Sequence, residues 1–210
     1  MPRPLTGVRA DQPRSYRNLE RVAAIVRRKL NFQPDEAIDA LRLFESLDDI
    51  QIEPTSGKPI PLGYGVVELT DSEGYVKYDR DKHIIEVLGS EETYGWLEQR
   101  HPRGGYFVAH ELGHCMLHAD QLLRLAKMPT ADQAAFHRLK TEHKPYEDTE
   151  WQANAFASAL LMPAVGLVAL EKEHGLISVA DIVERFGVSS EAAGYRLELF
   201  ETRRRELLRP

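Results

Sequence analysis

The motif His110-Glu111-Leu112-Gly113-His114 constrains this chain more than any other stretch of its sequence. Residues four positions apart lie one turn apart on the same face of an α-helix, so His110 and His114 can present two imidazole nitrogens to one metal ion. Glu111 lies next to His110, where its carboxylate can take a proton from a metal-bound water. The pattern predicts a metal-binding helix with Glu111 as the general base.

The residues around the motif also predict a helix. An apolar stripe recurs at helical spacing, at Val108, Leu112, Cys115 and Ala119. The histidines fall roughly opposite this stripe, so one face of the helix can pack in a core while the other lines a cleft. The alternative is a surface helix that carries scattered histidines and binds no metal.

The composition favours a soluble protein of the cytoplasm. The 210 residues are 42% hydrophobic and 29% charged, which suits one globular domain or a domain with a small appendage. The net charge of -6 argues against broad affinity for nucleic acid. Cys115 is the single cysteine, which fits a reducing compartment. The N-terminal residues lack the apolar run of a signal peptide, and no run reaches the roughly 18 apolar residues of a membrane span, so we expect no membrane partner.

The residues before the motif predict an arm, two helices and a small sheet. Residues 1–14 carry three prolines and three arginines without periodicity, and predict a flexible arm. Helices are expected from Ser15 and from Pro34. Ser90 should cap a short helix that runs to Glu98. Alternating apolar residues predict strands of an antiparallel sheet over residues 50–52, 64–69, 74–78 and 83–88.

Two further segments follow the motif. Residues 120–145 are polar and predict an exposed insertion, either a solvated helical hairpin, which is the simpler interpretation, or a lid over the cleft. Residues 147–161 predict an alanine-rich helix that ends at Met162-Pro163.

The tail predicts a helix pair with the spacing of a helix-turn-helix. Residues 178–201 read as a helix, a turn at Gly187 and a second helix. We expect one domain that contains the metal-binding helix over residues 15–170, and a C-terminal helical appendage over residues 171–210 that packs on it. DNA binding by this pair is the alternative, but acidic residues on its second helix disfavour contact with phosphates.

A third metal ligand is required, because a catalytic zinc site commonly has three protein ligands and one open position. Glu150 is the best candidate, and Asn154 one turn later could orient a ligand by hydrogen bonding. Glu147 is the second candidate. His118 lies one turn beyond His114, where we expect it to line the cleft or support a ligand rather than bind the ion.

The two motifs together resemble the ImmA/IrrE family of metallopeptidases. The resemblance rests on two segments. The first is His110-Glu-Leu-Gly-His-Cys-Met-Leu-His118, and the second is Glu150-x-x-Ala-Asn154-x-Phe-Ala-x-x-Leu-Leu-Met-Pro163. The family commonly has a second glutamate where this chain has Gln152. The resemblance implies an α+β fold of the zincin-like type, with a small antiparallel sheet, the HExxH helix and a C-terminal helix-turn-helix-like pair. It also implies one Zn²⁺ per chain on His110, His114 and Glu150, with ions such as Mn²⁺ as substitutes.

The resemblance further implies a function in transcription regulation. Members of the family are site-specific endopeptidases that cut a helix-turn-helix repressor and so release genes of stress response, mobile elements or phage defence. The expected partner is therefore such a repressor, and the alternative is a DNA-binding regulator whose metal site is structural or vestigial. Three residues are candidates for stabilising the oxyanion, and the sequence does not rank them: His118, His143 and Tyr146.

Overall fold

The fold is α+β, which confirms the predicted class. The computed structural model describes residues 7–55, 57–128 and 143–209. Within these residues, the protein has eight α-helices and a four-stranded sheet. Their order is α1 (Tyr16–Lys29), α2 (Ala40–Glu45), β1 (Gln51–Ile52), β2 (Ile60–Val67), β3 (Gly74–Asp79), β4 (Ile84–Ser90), α3 (Glu91–Glu98), α4 (Pro102–Lys127), α5 (Thr149–Leu161), α6 (Ala164–His174), α7 (Val179–Phe186) and α8 (Ser190–Leu207). Short 3₁₀ helices precede β1 and α5.

The sheet is mixed, whereas the sequence predicts an antiparallel one. Its strand order is β1-β2-β4-β3, and β2 runs parallel to β4 while the other two pairs are antiparallel. β4 is the most buried strand, and the alternating β3 is half exposed. The hairpin between β3 and β4 therefore places its apolar strand in the centre, beside β2, and leaves β3 at the edge. β2 also begins earlier than predicted, at Ile60.

The predicted start of the second helix, at Pro34, is wrong. Residues 34–36 form a turn, and α2 begins only after Asp39, whose side chain caps the backbone N–H of Arg42. The buried guanidinium of Arg27 donates hydrogen bonds to the carbonyls of Gln33 and Glu36. These carbonyls are therefore held in a turn by a residue of α1, which no local pattern indicates.

Residues 7–14, predicted as part of a flexible arm, lie along the start of α5. The backbone N–H of Ala10 donates to Glu147 O at 2.7 Å, and the N–H of Thr149 donates to Val8 O at 3.0 Å. Gln152 adds a side-chain bond to this segment. The partners are about 140 positions away in sequence, so the turn-like composition of the segment could not indicate them.

The helix that carries the motif is longer than predicted. α4 continues to Lys127, with a kink at His118, where φ is -125° and ψ is 16°. The first residues of the predicted insertion, 120–127, therefore extend this helix. Residues 129–142 of the predicted insertion lie outside the described residues, so the insertion or lid stays a prediction.

The C-terminal helices pack on the rest of the protein through a buried ion pair. Arg196 of α8 is 1% exposed and donates to Glu20 of α1 and to Met162 O, the latter at 2.7 Å. The turn between α7 and α8 has Gly187 in the left-handed region, at φ 66° and ψ 28°, as the predicted turn requires. No single helix in the described ranges is both long and apolar enough to cross a membrane.

Removal of the buried guanidinium should destabilise the protein. Arg196→Met keeps an apolar stem but leaves the carboxylate of Glu20 buried without its cation, so we expect a loss of about 3–5 kcal/mol in the free energy of unfolding. Urea denaturation followed by circular dichroism measures this. Arg205→Met on the exposed side of α8 is the control, and equal losses for the two variants would contradict the role of the pair.

Candidate metal centre

The site forms where α4 and α5 come close together. Gly113, inside the motif, faces α5, and a Cβ atom at this position would lie 3.0 Å from Phe156 Cδ1 and 3.2 Å from Ala153 Cα. A side chain at residue 113 would therefore push the helices apart. The small residues Ala153 and Ala157, both fully buried, let α5 approach in the same way. This close packing brings the first turn of α5 against the histidine face of α4.

Three predicted ligands converge at this contact. His110 Nε2 lies 3.2 Å from Glu150 Oε2, and His114 Nε2 lies 3.2 Å from Glu150 Oε1. The two Nε2 atoms are 3.0 Å apart. All three side chains are partly buried. Within the described residues, they form a group of histidine and acidic side chains whose nitrogen and oxygen atoms lie close enough together to bind one metal ion.

The donor set fits a divalent metal ion. In a tetrahedral site with ligands about 2.1 Å from zinc, neighbouring ligand atoms are about 3.4 Å apart. The two Nε2 atoms are 3.0 Å apart, and each lies 3.2 Å from a different oxygen of Glu150, so these distances are a few tenths of an ångström shorter. Two imidazoles and one carboxylate form the set found in open zinc sites. Imidazole and carboxylate also bind other divalent ions, so the set does not identify the metal.

Asn154 and Tyr106 orient His110. The Nδ1 atom of His110 lies 2.9 Å from Asn154 Oδ1, and the hydroxyl of Tyr106 donates to the same oxygen at 2.7 Å. An amide oxygen only accepts, so His110 must carry its proton on Nδ1. Its Nε2 then presents a lone pair to the centre. Asn154 therefore contacts one of the clustered histidines.

His114 is oriented by a second chain of contacts. Its Nδ1 atom lies 3.2 Å from His118 Nδ1, and His118 Nε2 lies 3.1 Å from Gln152 Oε1. The kink of α4 at His118 lets this ring turn back towards His114. His118 therefore contacts His114 and is not itself one of the clustered side chains.

Burial and charge together perturb the pKa values at the site. Burial opposes ionisation of Glu150, but the cationic forms of His110 and His114, which also carry a proton on Nε2, donate hydrogen bonds to its carboxyl and lower the pKa of this group below the ordinary value. Burial would lower the pKa of His110, but its bond to Glu150 and the charge of Glu111 raise it. Burial, with His114 alongside, lowers the pKa of His118 to about 3.

Glu111 lies beside the centre without joining it. Burial raises the pKa of its carboxyl above the ordinary value, although the imidazoles of His114 and His110 act in the opposite direction. A carboxylate that is partly desolvated next to a cation site is a stronger base than one in water. This environment suits the predicted general base.

The other predicted candidates lie elsewhere. Glu147 pairs with Arg9 at 3.2 Å, so it is not one of the clustered ligands. His143 Nε2 bonds Asp148 Oδ2 at 2.8 Å, in a pair that is almost fully buried. Tyr146 is 39% exposed, with its ring beside the Lys144 ammonium. Of the three oxyanion candidates, only His118 contacts a clustered ligand, and both of its ring nitrogens already have partners.

Two contributors were not predicted as site residues. Tyr106 precedes His110 by one helical turn, and this spacing could have indicated that it faces the same cleft. Gln152 was noted only as a departure from the family pattern. Its contact with His118 depends on how α5 meets the kink of α4, for which the sequence gives no signal.

The comparisons agree with this geometry. Residues 98–198 match the Peptidase_M78 family model, described as the IrrE N-terminal-like domain. The matched segment contains the motif, all three clustered side chains and Asn154, so the predicted resemblance to the ImmA/IrrE family is confirmed. The zincin-like domain type agrees with the α+β fold.

More distant relatives add little. No curated protein matches the chain. A solved structure that does match is a Mycobacterium tuberculosis transcriptional regulator, with 15% sequence identity and a TM-score of 0.46, over 86% of this chain and 55% of that one. This chain therefore spans about half the length of that regulator.

Zinc binding should depend on Glu150. Glu150→Gln removes an anionic ligand, so we expect its zinc affinity to fall by more than the about 10- to 100-fold that loss of a supporting hydrogen bond costs. Competition with a chromophoric chelator measures the affinity. Glu147→Gln, three residues earlier and bonded to Arg9, should bind zinc like the wild type. A Glu150→Gln variant with wild-type affinity would exclude this carboxylate as a ligand.

Proposed function

We propose that this protein is a zinc-dependent endopeptidase. The observation that carries the proposal is the convergence of His110, His114 and Glu150 on one point, with Glu111 beside it. The match to a peptidase family model over the same segment supports the proposal. Three protein ligands leave one position open, as hydrolysis requires.

In the proposed hydrolysis, the metal ion and the protein side chains would have different roles. A bound zinc ion would supply Lewis-acid chemistry, which activates water and polarises the scissile carbonyl. Glu111 then takes the proton of the attacking water on its carboxylate and returns it to the leaving amine. The elevated pKa of Glu111 helps it to hold that proton between the two steps. His110 and His114 stay fixed through their Nδ1 contacts.

Two surfaces could position a polypeptide at the centre. β3 is an edge strand of the described sheet and packs on α4, where Gly74 lies close to the ring of Phe107. An extended substrate could pair along such an edge. A groove of about 450 Å³ begins at Tyr106 and Asn154 and continues between α5 and α8 past Trp151 and Tyr195, where it could hold apolar side chains.

The proposed substrate is a helix-turn-helix transcription repressor in the cytoplasm. This finer proposal is supported by the family resemblance, which implies such a substrate and a role in stress, mobile-element or phage-defence genes. Cleavage of one partner also requires restricted access to the centre, and the partial burial of all three clustered side chains is compatible with that.

The first half of α8 gives no support to the DNA-binding alternative. Arg196, the basic residue in this half, is buried in its pair with Glu20. The exposed residues of α8 include Glu191, Glu198 and Glu201, whose carboxylates would repel phosphates, while its exposed arginines, Arg203 and Arg205, lie near its C-terminal end. Salt-dependent binding of duplex DNA by the isolated protein would favour this alternative.

Glu111→Gln should separate metal binding from catalysis. The amide cannot accept the proton of water, so we expect peptide cleavage to fall by about 100-fold or more while zinc content stays stoichiometric. Zinc is measured by atomic absorption, and cleavage by mass spectrometry of the fragments. Glu201→Gln on the exposed side of α8 is the control with full activity. A Glu111→Gln variant that still cleaves at the wild-type rate would exclude Glu111 as the base.

The substrate can be tested with a helix-turn-helix repressor, the class of partner that the family resemblance implies. We expect the zinc-loaded protein to cut the repressor at one site, and a chelator to abolish the cut. Mass spectrometry identifies the fragments. Unspecific degradation of denatured casein at a similar rate would contradict a site-specific enzyme.

A further inference from the structure

The side-chain amide of Gln152 has one orientation that satisfies its contacts. Nε2 lies 2.8 Å from the carbonyl oxygens of Gln12 and of Tyr146, and carbonyls only accept. Both N–H groups are therefore donated to the backbone. A flipped amide would point its oxygen at these two carbonyls and lose both bonds. Gln152 is fully buried, so water cannot replace them.

This orientation determines which nitrogen of His118 carries the proton. The remaining polar atom of the amide, Oε1, is an acceptor and lies 3.1 Å from His118 Nε2. His118 must therefore donate from Nε2. A neutral imidazole carries one ring proton, so a His118 ring that donates from Nε2 has an unprotonated Nδ1.

The same reasoning then applies to His114. Its Nδ1 lies 3.2 Å from the unprotonated Nδ1 of His118, so His114 is the donor in this contact. A neutral imidazole that donates from Nδ1 has a free lone pair on Nε2. That atom is the one that faces Glu150, 3.2 Å away.

We propose that Gln152 and His118 are positioning residues, which fix His114 in the tautomer and orientation that a metal ion needs. This series of hydrogen bonds begins at the N-terminal segment, where the carbonyl of Gln12 accepts a hydrogen bond from the Gln152 amide and helps to fix its orientation. Docking of residues 7–14 is thereby coupled to the geometry of a metal ligand 100 positions away in sequence. The inference rests on the metal-centre part of the proposed function, but not on proteolysis.

The tautomers can be observed directly in the full-length protein. Long-range ¹H–¹⁵N correlation spectra at mildly alkaline pH distinguish histidines protonated on Nδ1 from those protonated on Nε2. We expect His118 to be protonated on Nε2 with or without zinc, and His114 on Nδ1 when zinc is bound. Protonation of His118 on Nδ1 would overturn the proposal, and this measurement needs no variant.

A pair of matched variants tests the effect on metal binding. Gln152→Met keeps the length of the side chain but has no N–H to donate to the two carbonyls and no oxygen to accept from His118. Gln121→Met is the control, because Gln121 is also buried and donates to a carbonyl of the same segment, Arg9 O at 3.3 Å, in a hydrogen bond that involves no histidine. We expect zinc affinity to fall about 10- to 100-fold in Gln152→Met and to stay unchanged in Gln121→Met.

The outcomes separate positioning from general stability. Equal losses of zinc affinity in both variants, in proportion to their losses of melting temperature, would overturn a specific role for Gln152. An unchanged affinity in Gln152→Met would overturn it as well. If the wild type has the expected tautomers and binds zinc but cuts no peptide, the proposed function fails while the positioning role stands.

Discussion

The close contact between α4 and α5 is the interaction on which the candidate site depends. Gly113 leaves no space for a side chain between the helices, and Ala153 lies directly opposite. The first turn of α5 therefore meets the histidine face of α4 at a distance that a single ion can bridge. A protein with the same ligands on more widely spaced helices would hold two imidazoles on one helix and an unconnected acid on the other.

The two histidines are held by different means. His110 is fixed from within the helix pair, through Asn154 and the hydroxyl of Tyr106. His114 is fixed through His118, which itself depends on the amide of Gln152 and on backbone carbonyls outside the helices. In both cases the Nδ1 atom has a partner and Nε2 is directed to the centre, which is the arrangement that a metal ion requires.

The elements with strong local patterns were predictable. The apolar stripe of α4, the cap at Ser90 and the turn at Gly187 each depend on residues within a few positions, and the structure has them where the sequence predicts them. The predictions are wrong where residues distant in sequence determine the local structure. Arg27 converts a predicted helix into a turn, and the apolar content of β4 moves this strand to the centre of a mixed sheet.

The sequence by itself determined the ligand types, because the spacing of His110 and His114 places both on one helical face and the second motif supplies the acid. It also determined the α+β class, through the change from helical to alternating periodicity. Only the tertiary structure decided that Glu150 rather than Glu147 joins the histidines, and that Gln152 supports His118. The reason is physical: which face of α5 meets α4 depends on packing across the interface, and side-chain hydrogen bonds form only after that packing has brought distant donors and acceptors within about 3 Å.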